Sequence, residues 1–269
     1  MNGVSRLIKT HCPGWFTEAT VFLQMNVAPA RFYRRRAALM RKIGSPASVV
    51  HGPFRGTAYP RYAADKALLP RLLGTYECEV HGAVEKLCGM QPDVVAIAGA
   101  GEGYYVGGVA RRVPSAKVFA YEGFKWAQHL LGKMVRLNHL EDRVEIGGLV
   151  TPPELERVLG PAKRPAVVCD VEGYELELIN PVAVPSLKRA TILLEVHDHV
   201  VPKLTDEIRR RFSGSHQIEE IFDRTRTLDD LPPGIPLSLE EALWGIDELQ
   251  FRGVRQNWLF MVPRHRQAS

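Results

Sequence analysis

From residue 92 onward, short apolar runs alternate with stretches of helical periodicity. The run 94–98 is continuously apolar, as is typical of a central strand covered on both faces. Six further strands are predicted on similar grounds, at 117–121, 144–146, 166–169, 191–196, 217–222 and 257–262. Helices are predicted between them at 103–112, 124–139, 152–159, 172–180 and 203–213. This alternation predicts an α/β fold with a mostly parallel sheet, right-handed crossovers and flanking helices.

The last two predicted strands suit a hairpin-like pair that closes one edge of the sheet with an antiparallel strand. Between them, the segment 223–255 is rich in Pro, Asp and Arg and is too long for a plain turn. Insertions of this length often form lids or substrate walls. We therefore expect this one to help form a substrate pocket and its cover.

Residues 1–90 precede the sheet and are predicted to be largely helical. A helical pattern at 15–44 is interrupted near Pro29, and a second pattern covers 67–90, with a loop-rich connection between them. We expect an accessory region at 1–90 and a second domain at 91–269 that contains the insertion.

Charge is distributed unevenly along the chain. Residues 1–70 carry eleven Lys and Arg residues against Glu18 and Asp65, a formal charge of +9, so that the rest of the chain carries −4 of the total +5. A basic segment can attract nucleic acid, anionic lipid or an acidic substrate. It can equally be a solvated helix face, which is the interpretation we favour.

The composition is that of an ordinary soluble globular protein, with 45% hydrophobic and 24% charged residues. No run of eighteen apolar residues is present, so we expect no membrane-spanning helix. The four cysteines are scattered, without metal-ligand spacing. These features predict a cytoplasmic protein, and they are compatible with a homo-oligomer.

The strongest local signal is the sequence GAGEG at residues 99–103, between the first strand and a helix. Glycines there let the backbone turn tightly and approach a ligand beside the positive end of a helix. Nicotinamide and flavin enzymes use similar loops, but the fingerprint G-x-G-x-x-G is broken here by Tyr104.

Glu122 ends the second strand, nineteen residues after Gly103. An acidic side chain there can accept hydrogen bonds from both ribose hydroxyls of an adenosine group. A simpler explanation is a carboxylate favoured by the dipole of the following helix. The glycine loop upstream makes ribose binding the better interpretation.

Acidic residues also follow the fourth and fifth strands. Asp170 and Glu172 come directly after the fourth, and the fifth ends in the sequence LEVHDH at 194–199. Because ligands of open parallel sheets bind outside the carboxyl ends of the strands, we expect Asp170 and Glu172 to face the crevice of the glycine loop. Glu175 is sufficiently explained as a helix-start residue.

Glu195 and His197 are two residues apart and should project to one side of an extended segment. Most single histidines are structural, but an imidazole among carboxylates at the end of a central strand can accept a proton. We favour His197 as a general base, with Asp170 or Glu195 orienting it or the acceptor. Asp170, Glu195 and His197 could also bind a divalent metal, although no spacing demands one.

In chain order, these motifs resemble those of class I S-adenosylmethionine-dependent methyltransferases, and in detail those of the bacterial-type FkbM branch. The resemblance covers roughly residues 91–200 in motif detail and extends to about residue 262 in architecture. It rests on GEGYY at 101–105, on Glu122 with Asn138 downstream, on DVEGYE at 170–175 and on LEVH at 194–197.

The resemblance implies a Rossmann-like fold that binds S-adenosyl-L-methionine. The glycines of the loop would line its methionine and ribose portion, Glu122 would hold the ribose hydroxyls, and Asp170 would face the methyl group. The implied cofactor-binding residues are Gly99, Ala100, Gly101, Glu102, Gly103, Tyr104, Tyr105, Glu122, Gly123, Gly148, Leu149 and Asp170. The candidate catalytic residues are His197, Asp170 and Glu195.

The chain departs from the family pattern at two places. An acidic residue commonly stands two positions before the first glycine of the loop, where this chain has Ile97. An acidic adenine contact after the third strand is replaced by the apolar sequence IGGL at 146–149. Both differences bear on the affinity for the cofactor.

The sequence therefore predicts methyl transfer to an oxygen or nitrogen of an acceptor, for which a small molecule is the first expectation. Two alternatives stay open. One is a nicotinamide-dependent oxidoreductase on a related sheet. The other is a non-catalytic methyltransferase-like module that binds RNA or another polyanion through the basic N-terminal region.

Overall fold

All seven predicted strands are present in a single sheet. The computed structural model describes residues 31–60, 67–248 and 255–264. In it, each strand begins and ends within one residue of its predicted bounds. The strands are β1 Val94–Ala98, β2 Lys117–Tyr121, β3 Val144–Gly147, β4 Pro165–Cys169, β5 Thr191–Val196, β6 His216–Ile221 and β7 Asn257–Pro263.

Nine α-helices lie in the described part of the chain. They are α1 Arg31–Lys42, α2 Leu68–Leu73, α3 His81–Gly89, α4 Tyr104–Arg112, α5 Lys125–Leu137, α6 Pro152–Leu159, α7 Glu175–Leu178, α8 Leu204–Phe212 and α9 Leu239–Ile246. Short 3₁₀ helices lie at Cys78–Val80, Pro185–Arg189 and Leu228–Asp230. The part of the predicted 15–44 helix that precedes residue 31 falls outside the described residues.

The strand order in the sheet is β3-β2-β1-β4-β5-β7-β6. Strands β1 to β5 pair in parallel, whereas β7 runs antiparallel between β5 and β6. This confirms the predicted mostly parallel, Rossmann-like sheet with flanking helices, and the antiparallel strand lies second from one edge. The strand order changes direction between β1 and β4, and at such a point the carboxyl ends of strands form a ligand crevice.

Two of the predicted helices are shorter than the sequence indicated, because the backbone turns left-handed inside them. The 67–90 pattern is divided at Gly74, which has φ +73°. The 172–180 prediction is reduced to the single turn of α7, because Glu172 and Gly173 have φ values of +52° and +110°. Neither value belongs to a right-handed helix.

Both faces of the sheet are buried, which explains the unbroken apolar run of β1. Val95 and Ile97 point into one core, and Ala96 and Ala98 point into a second core on the other face. The first core also contains residues from the segment 49–88. The N-terminal region therefore packs directly on the sheet, and the division into two domains at residue 90 stays a prediction.

The insertion 223–255 contains the helix α9, which is not among the helices predicted from the sequence. Its signal was a capping box: the Ser238 side chain accepts a hydrogen bond from the Glu241 amide, and the Glu241 carboxylate accepts one from the Ser238 amide. Ile246 of α9 packs with Leu39 of α1 and Leu73 of α2 in a third apolar cluster. The insertion thus packs on the N-terminal helices, and its role as a substrate cover stays a prediction.

Part of the N-terminal positive charge is neutralised by this insertion. Arg35 lies 2.7 Å from Glu240, and Lys42 forms an ion pair with Glu241. Arg36 is buried, with its guanidinium over the ring of Tyr33. Several of the basic residues of α1 are therefore engaged within the protein.

None of the helices in the described segments has the length and apolar character needed to cross a membrane.

The backbone at Gly74 generates a stability prediction with a matched control. A Cβ atom at Gly74 would lie 2.0 Å from the carbonyl oxygen of His51, and left-handed strain of about 1–2 kcal/mol adds to that clash. Gly74→Ala should therefore lower the free energy of unfolding by about 2 kcal/mol or more. At Gly82, inside α3, the same Cβ would have no described atom within 4 Å. Gly82→Ala should stabilise the protein by roughly 0.5–1 kcal/mol.

Urea unfolding of both variants measures these effects. Equal midpoints for Gly74→Ala and Gly82→Ala would contradict the backbone geometry described for Gly74.

Candidate active site

The carboxyl ends of β1, β2 and β4 are joined by close backbone contacts. Gly99 has φ +76°, and a Cβ atom there would lie only 1.6 Å from the carbonyl oxygen of Asp170. The Asp170 amide donates a hydrogen bond to Ala98 at 3.0 Å, and the Gly99 amide donates one to Tyr121 at 3.0 Å. Only glycine permits this approach of the loop to the end of β4.

Glu122 is attached to the glycine loop through its side chain. One carboxylate oxygen accepts a hydrogen bond from the Gly101 amide at 2.8 Å, and the other accepts one from the Phe124 amide at 2.7 Å. Each carboxylate oxygen has a second lone pair, so Glu122 retains capacity to accept hydrogen bonds from a ligand. The predicted ribose-binding acid is thus in contact with the predicted methionine-binding loop.

Apolar side chains are exposed on the loops that follow β2 and β3. Phe124 is 66% exposed and Leu149 is 85% exposed. Leu149 packs close to Gly123, where a Cβ atom would lie 2.7 Å from a Leu149 methyl group. Apolar surface is thus exposed beside Glu122, and the backbone at Gly148 is open to solvent.

The residues that flank the glycine loop, Ile97 on one side and Tyr104 and Tyr105 on the other, pack against the protein interior. Ile97, in the position where an acidic residue is common, is 1% exposed and lies in the core. The ring of Tyr104 packs against Phe54, and the Tyr105 hydroxyl donates a hydrogen bond to Glu77. These contacts anchor the start of α4 to the N-terminal region, and a cofactor role for Tyr104 and Tyr105 stays a prediction.

Glu102, the acidic residue of the glycine loop, is also buried. Its carboxylate lies 3.8 Å from the guanidinium of Arg71, at the end of α2. The N-terminal region therefore contributes a cation to the immediate surroundings of the loop.

His197 lies at the centre of a carboxylate cluster formed by the ends of β4 and β5. Its Nδ1 is 2.6 Å from a Glu175 carboxylate oxygen, and both side chains are fully buried. Its Nε2 lies 3.6 Å from Asp170 and 3.4 Å from Glu172. The structure thus brings together the acidic run after β4 and the histidine after β5. This agrees with the prediction that residues at the carboxyl ends of neighbouring parallel strands lie close together.

The electrostatics of this cluster favour the charged form of the imidazole. Burial opposes protonation of His197, but the hydrogen bond with Glu175 and the nearby Asp170 and Glu172 outweigh it and raise its pKa. Withdrawal from water raises the pKa of Asp170 to about 6, against the lowering effect of its hydrogen bond with Glu195. Perturbed carboxyl and imidazole groups in one crevice are typical of functional sites.

Glu175, rather than Asp170 or Glu195, contacts the orienting nitrogen of His197. The sequence predicts only a helix-start role for Glu175, because the pattern predicts a helix over 172–180. The left-handed backbone at Glu172 and Gly173 instead begins α7 at Glu175 and leaves its carboxylate inside the protein. Glu195 is buried and forms a hydrogen bond with Asp170, which itself lies 3.6 Å from Nε2 of His197; its catalytic role stays a prediction.

No family model and no curated protein matches the sequence. Among solved structures, the chain is similar to the precorrin-6y C5,15-methyltransferase of Geobacter metallireducens, with 14% identity, a TM-score of 0.45, and coverage of 69% of this chain and 86% of that chain.

Two further solved structures are similar at the same level. An O-methyltransferase family protein from Burkholderia thailandensis shares 12% identity with a TM-score of 0.41, over 87% of this chain and 72% of that chain. A B. subtilis tRNA methyltransferase shares 10% identity with a TM-score of 0.43, over 69% of this chain and 67% of that chain. At these identities the likeness concerns the fold alone, and the FkbM-type resemblance stays a prediction.

The contact between Glu175 and His197 predicts the effect of one substitution. Glu175→Gln keeps the shape of the side chain but removes the negative charge beside Nδ1, so the pKa of His197 should fall. The measurement is the pH titration of the His197 ring signals by NMR in protein treated with a chelator. Glu177→Gln, an exposed residue on the same turn, is the matched control and should leave the pKa of His197 unchanged. An unaltered titration in Glu175→Gln would show that the two groups do not interact.

Proposed function

We propose that this protein is a class I methyltransferase that moves the methyl group of S-adenosyl-L-methionine to an oxygen or nitrogen of a small-molecule acceptor. The observation that carries the proposal is the hydrogen bond between the Glu122 carboxylate and the Gly101 amide, 2.8 Å long. An acid able to bind ribose hydroxyls therefore lies beside a loop whose glycines allow a ligand to approach the backbone.

The cofactor would lie along the carboxyl ends of β1, β2 and β3. The glycine loop would contact its methionine and ribose portion, Glu122 its ribose hydroxyls, and the exposed surface of Phe124 and Leu149 its adenine. Asp170, in contact with Gly99 through its backbone, would face the methyl group. The apolar surface after β3 would supply the adenine contact that an acidic residue commonly makes in this family.

In the proposed reaction, the acceptor atom bonds to the methyl carbon while the carbon–sulfur bond breaks and its electron pair stays on sulfur. The acceptor loses one proton. Because the sulfonium is already activated, the protein mainly aligns the two reactants and receives that proton. Asp170, Glu195 and His197 form the group proposed for this task. His197 accepts the proton when its Nε2 atom carries neither a proton nor another ligand.

Two observations favour this function over its alternatives. Arg35 and Lys42 are paired with acidic residues of α9, which reduces the basic surface that an RNA-binding module would use. Tyr104, in the place of the third glycine of a dinucleotide-binding fingerprint, is buried against Phe54, which disfavours a nicotinamide cofactor at this loop.

Calorimetry with S-adenosylhomocysteine and with NAD tests the proposed cofactor directly. The protein should bind S-adenosylhomocysteine and not NAD. Glu122→Gln should weaken that binding about tenfold or more, because a charged acceptor of the ribose hydrogen bonds is lost. Glu141→Gln, which changes an exposed carboxylate in the turn just before β3, should leave the affinity unchanged. Binding of NAD alone, or of neither compound, would overturn the proposal.

Turnover tests the role of the carboxylate cluster. Isotope-labelled methyl groups from S-adenosylmethionine should be transferred to a component of a small-molecule extract, and the labelled product identifies the acceptor. His197→Ala should leave the affinity for S-adenosylhomocysteine intact and slow this transfer by about a hundredfold or more. Unchanged turnover would remove His197 from the mechanism, and labelling of RNA alone would replace the small-molecule acceptor.

A further inference from the structure

We propose that Asp170, Glu172 and His197 together bind one divalent metal ion. Their ligand atoms, one oxygen from each carboxylate and Nε2 of the imidazole, all lie within 4.8 Å of one another. Ligands of a single first-row ion, each about 2.0–2.2 Å from the metal, lie roughly 3–4 Å apart. The three side chains therefore need to close by only a small distance to share an ion.

The orientation of His197 is that of a metal-ligating histidine. Nδ1 is 2.6 Å from the buried Glu175 carboxylate, which accepts the proton of that nitrogen, so the proton that a metal ion would displace from the ring is the one on Nε2. Metal-binding histidines usually donate their second ring N–H to a carboxylate in this way, which fixes the ring and makes the ligand more basic. Glu175 would thus be a positioning residue for the metal site.

The Nε2 atom is buried and points into the cluster. Among the described residues, it has no hydrogen-bond partner, because its contacts with Asp170 and Glu172 at 3.4–3.6 Å do not have hydrogen-bond geometry. A buried polar atom without a partner is costly. An ion placed between the imidazole and the two carboxylates would satisfy it.

The Asp170 side chain, across the gap from His197, also has a buried atom without a partner among the described residues. Its Oδ1 atom is buried and has no hydrogen bond from any residue in the described segments. The same oxygen faces Nε2 of His197 at 3.6 Å. Two atoms without hydrogen-bond partners among the described residues thus face one gap, in which a cation that displaces the Nε2 proton would contact both.

Glu172 completes the set and connects it to solvent. Its side chain is 74% exposed, so an ion can enter from solution and keep water molecules on its outer side. The two carboxylate ligands carry a charge of −2, which balances a divalent ion. The mixed oxygen and nitrogen ligands suit Mn²⁺ or Zn²⁺ better than Mg²⁺ or Ca²⁺, which prefer oxygen alone.

The consequence for catalysis rests on the proposed function. An acceptor hydroxyl bound to the ion would have its pKa lowered, and its proton would pass to water before the oxygen attacks the methyl carbon. His197 would then act as a ligand, and its Nε2 lone pair would not be the proton acceptor.

Metal binding itself is tested without the cofactor. Protein treated with a chelator and then dialysed should bind one Mn²⁺ per chain by calorimetry, with a parallel loss of the free-ion signal in electron paramagnetic resonance. Glu172→Gln, at an exposed position where the fold is not at risk, should weaken binding about tenfold or more, as should His197→Ala. Glu177→Gln is the matched control and should bind as tightly as the unchanged protein.

A spectroscopic readout identifies the nitrogen involved. With Zn²⁺, the ¹⁵N signal of His197 Nε2 should shift on binding while Nδ1 stays protonated. No binding at 1:1 stoichiometry, binding that survives both Glu172→Gln and His197→Ala, or an Nε2 atom that carries only a proton in the presence of the ion would overturn the metal site. S-adenosylhomocysteine binding is measured separately, so a failure of the proposed function and a failure of the metal site give different results.

Discussion

The contact between the Gly99 backbone and the Asp170 carbonyl is the constraint on which the candidate site depends. It joins the carboxyl ends of β1 and β4 at the place where the strand order changes direction. The hydrogen bond from Gly101 to Glu122 adds the end of β2 to the same unit. Functional side chains on loops are held accurately only when the loops are supported in this way, and here the support comes from backbone atoms of neighbouring strands.

The buried imidazole of His197 illustrates how this support is combined with charge. Burying an ionisable group is costly unless other charged or polar groups compensate. Glu175 compensates on one side of the ring, whereas Asp170 and Glu172 approach the other side without forming aligned hydrogen bonds. A purely structural histidine would have both nitrogens satisfied, as His216 does through Ser215 and the carbonyl of Ala190. An imidazole with one hydrogen-bonded nitrogen and one nitrogen without a partner among the described residues is therefore better explained by function than by folding.

Most of the strands could be predicted from the sequence because they are runs of β-branched, aliphatic or aromatic residues bounded by glycine, proline or charge. In β3 and β6, polar and apolar residues are mixed. The predicted strand bounds also placed Glu122, Asp170 and His197 correctly, just after the carboxyl ends of β2, β4 and β5. The partner of His197 could not be predicted, because the orientation of Glu175 depends on left-handed backbone at Glu172, a residue type that rarely adopts it. The helix α9 was not predicted because the segment around it is rich in proline and acidic residues, which are typical of loops. Its sequence signal, the Ser238–Glu241 capping box, is local and short.

The packing of the segment 49–88 on the sheet has a practical meaning for work with fragments. Val49, Phe54 and Leu72 share a core with Val95 of β1 and Val106 of α4. A shortened chain that started at residue 91 would leave that side of the parallel sheet open to water. Such fragments expose a broad apolar surface and tend to self-associate. Expression of residues 91–269 alone would therefore give material unsuited to ligand measurements, and the N-terminal segment belongs in any recombinant product.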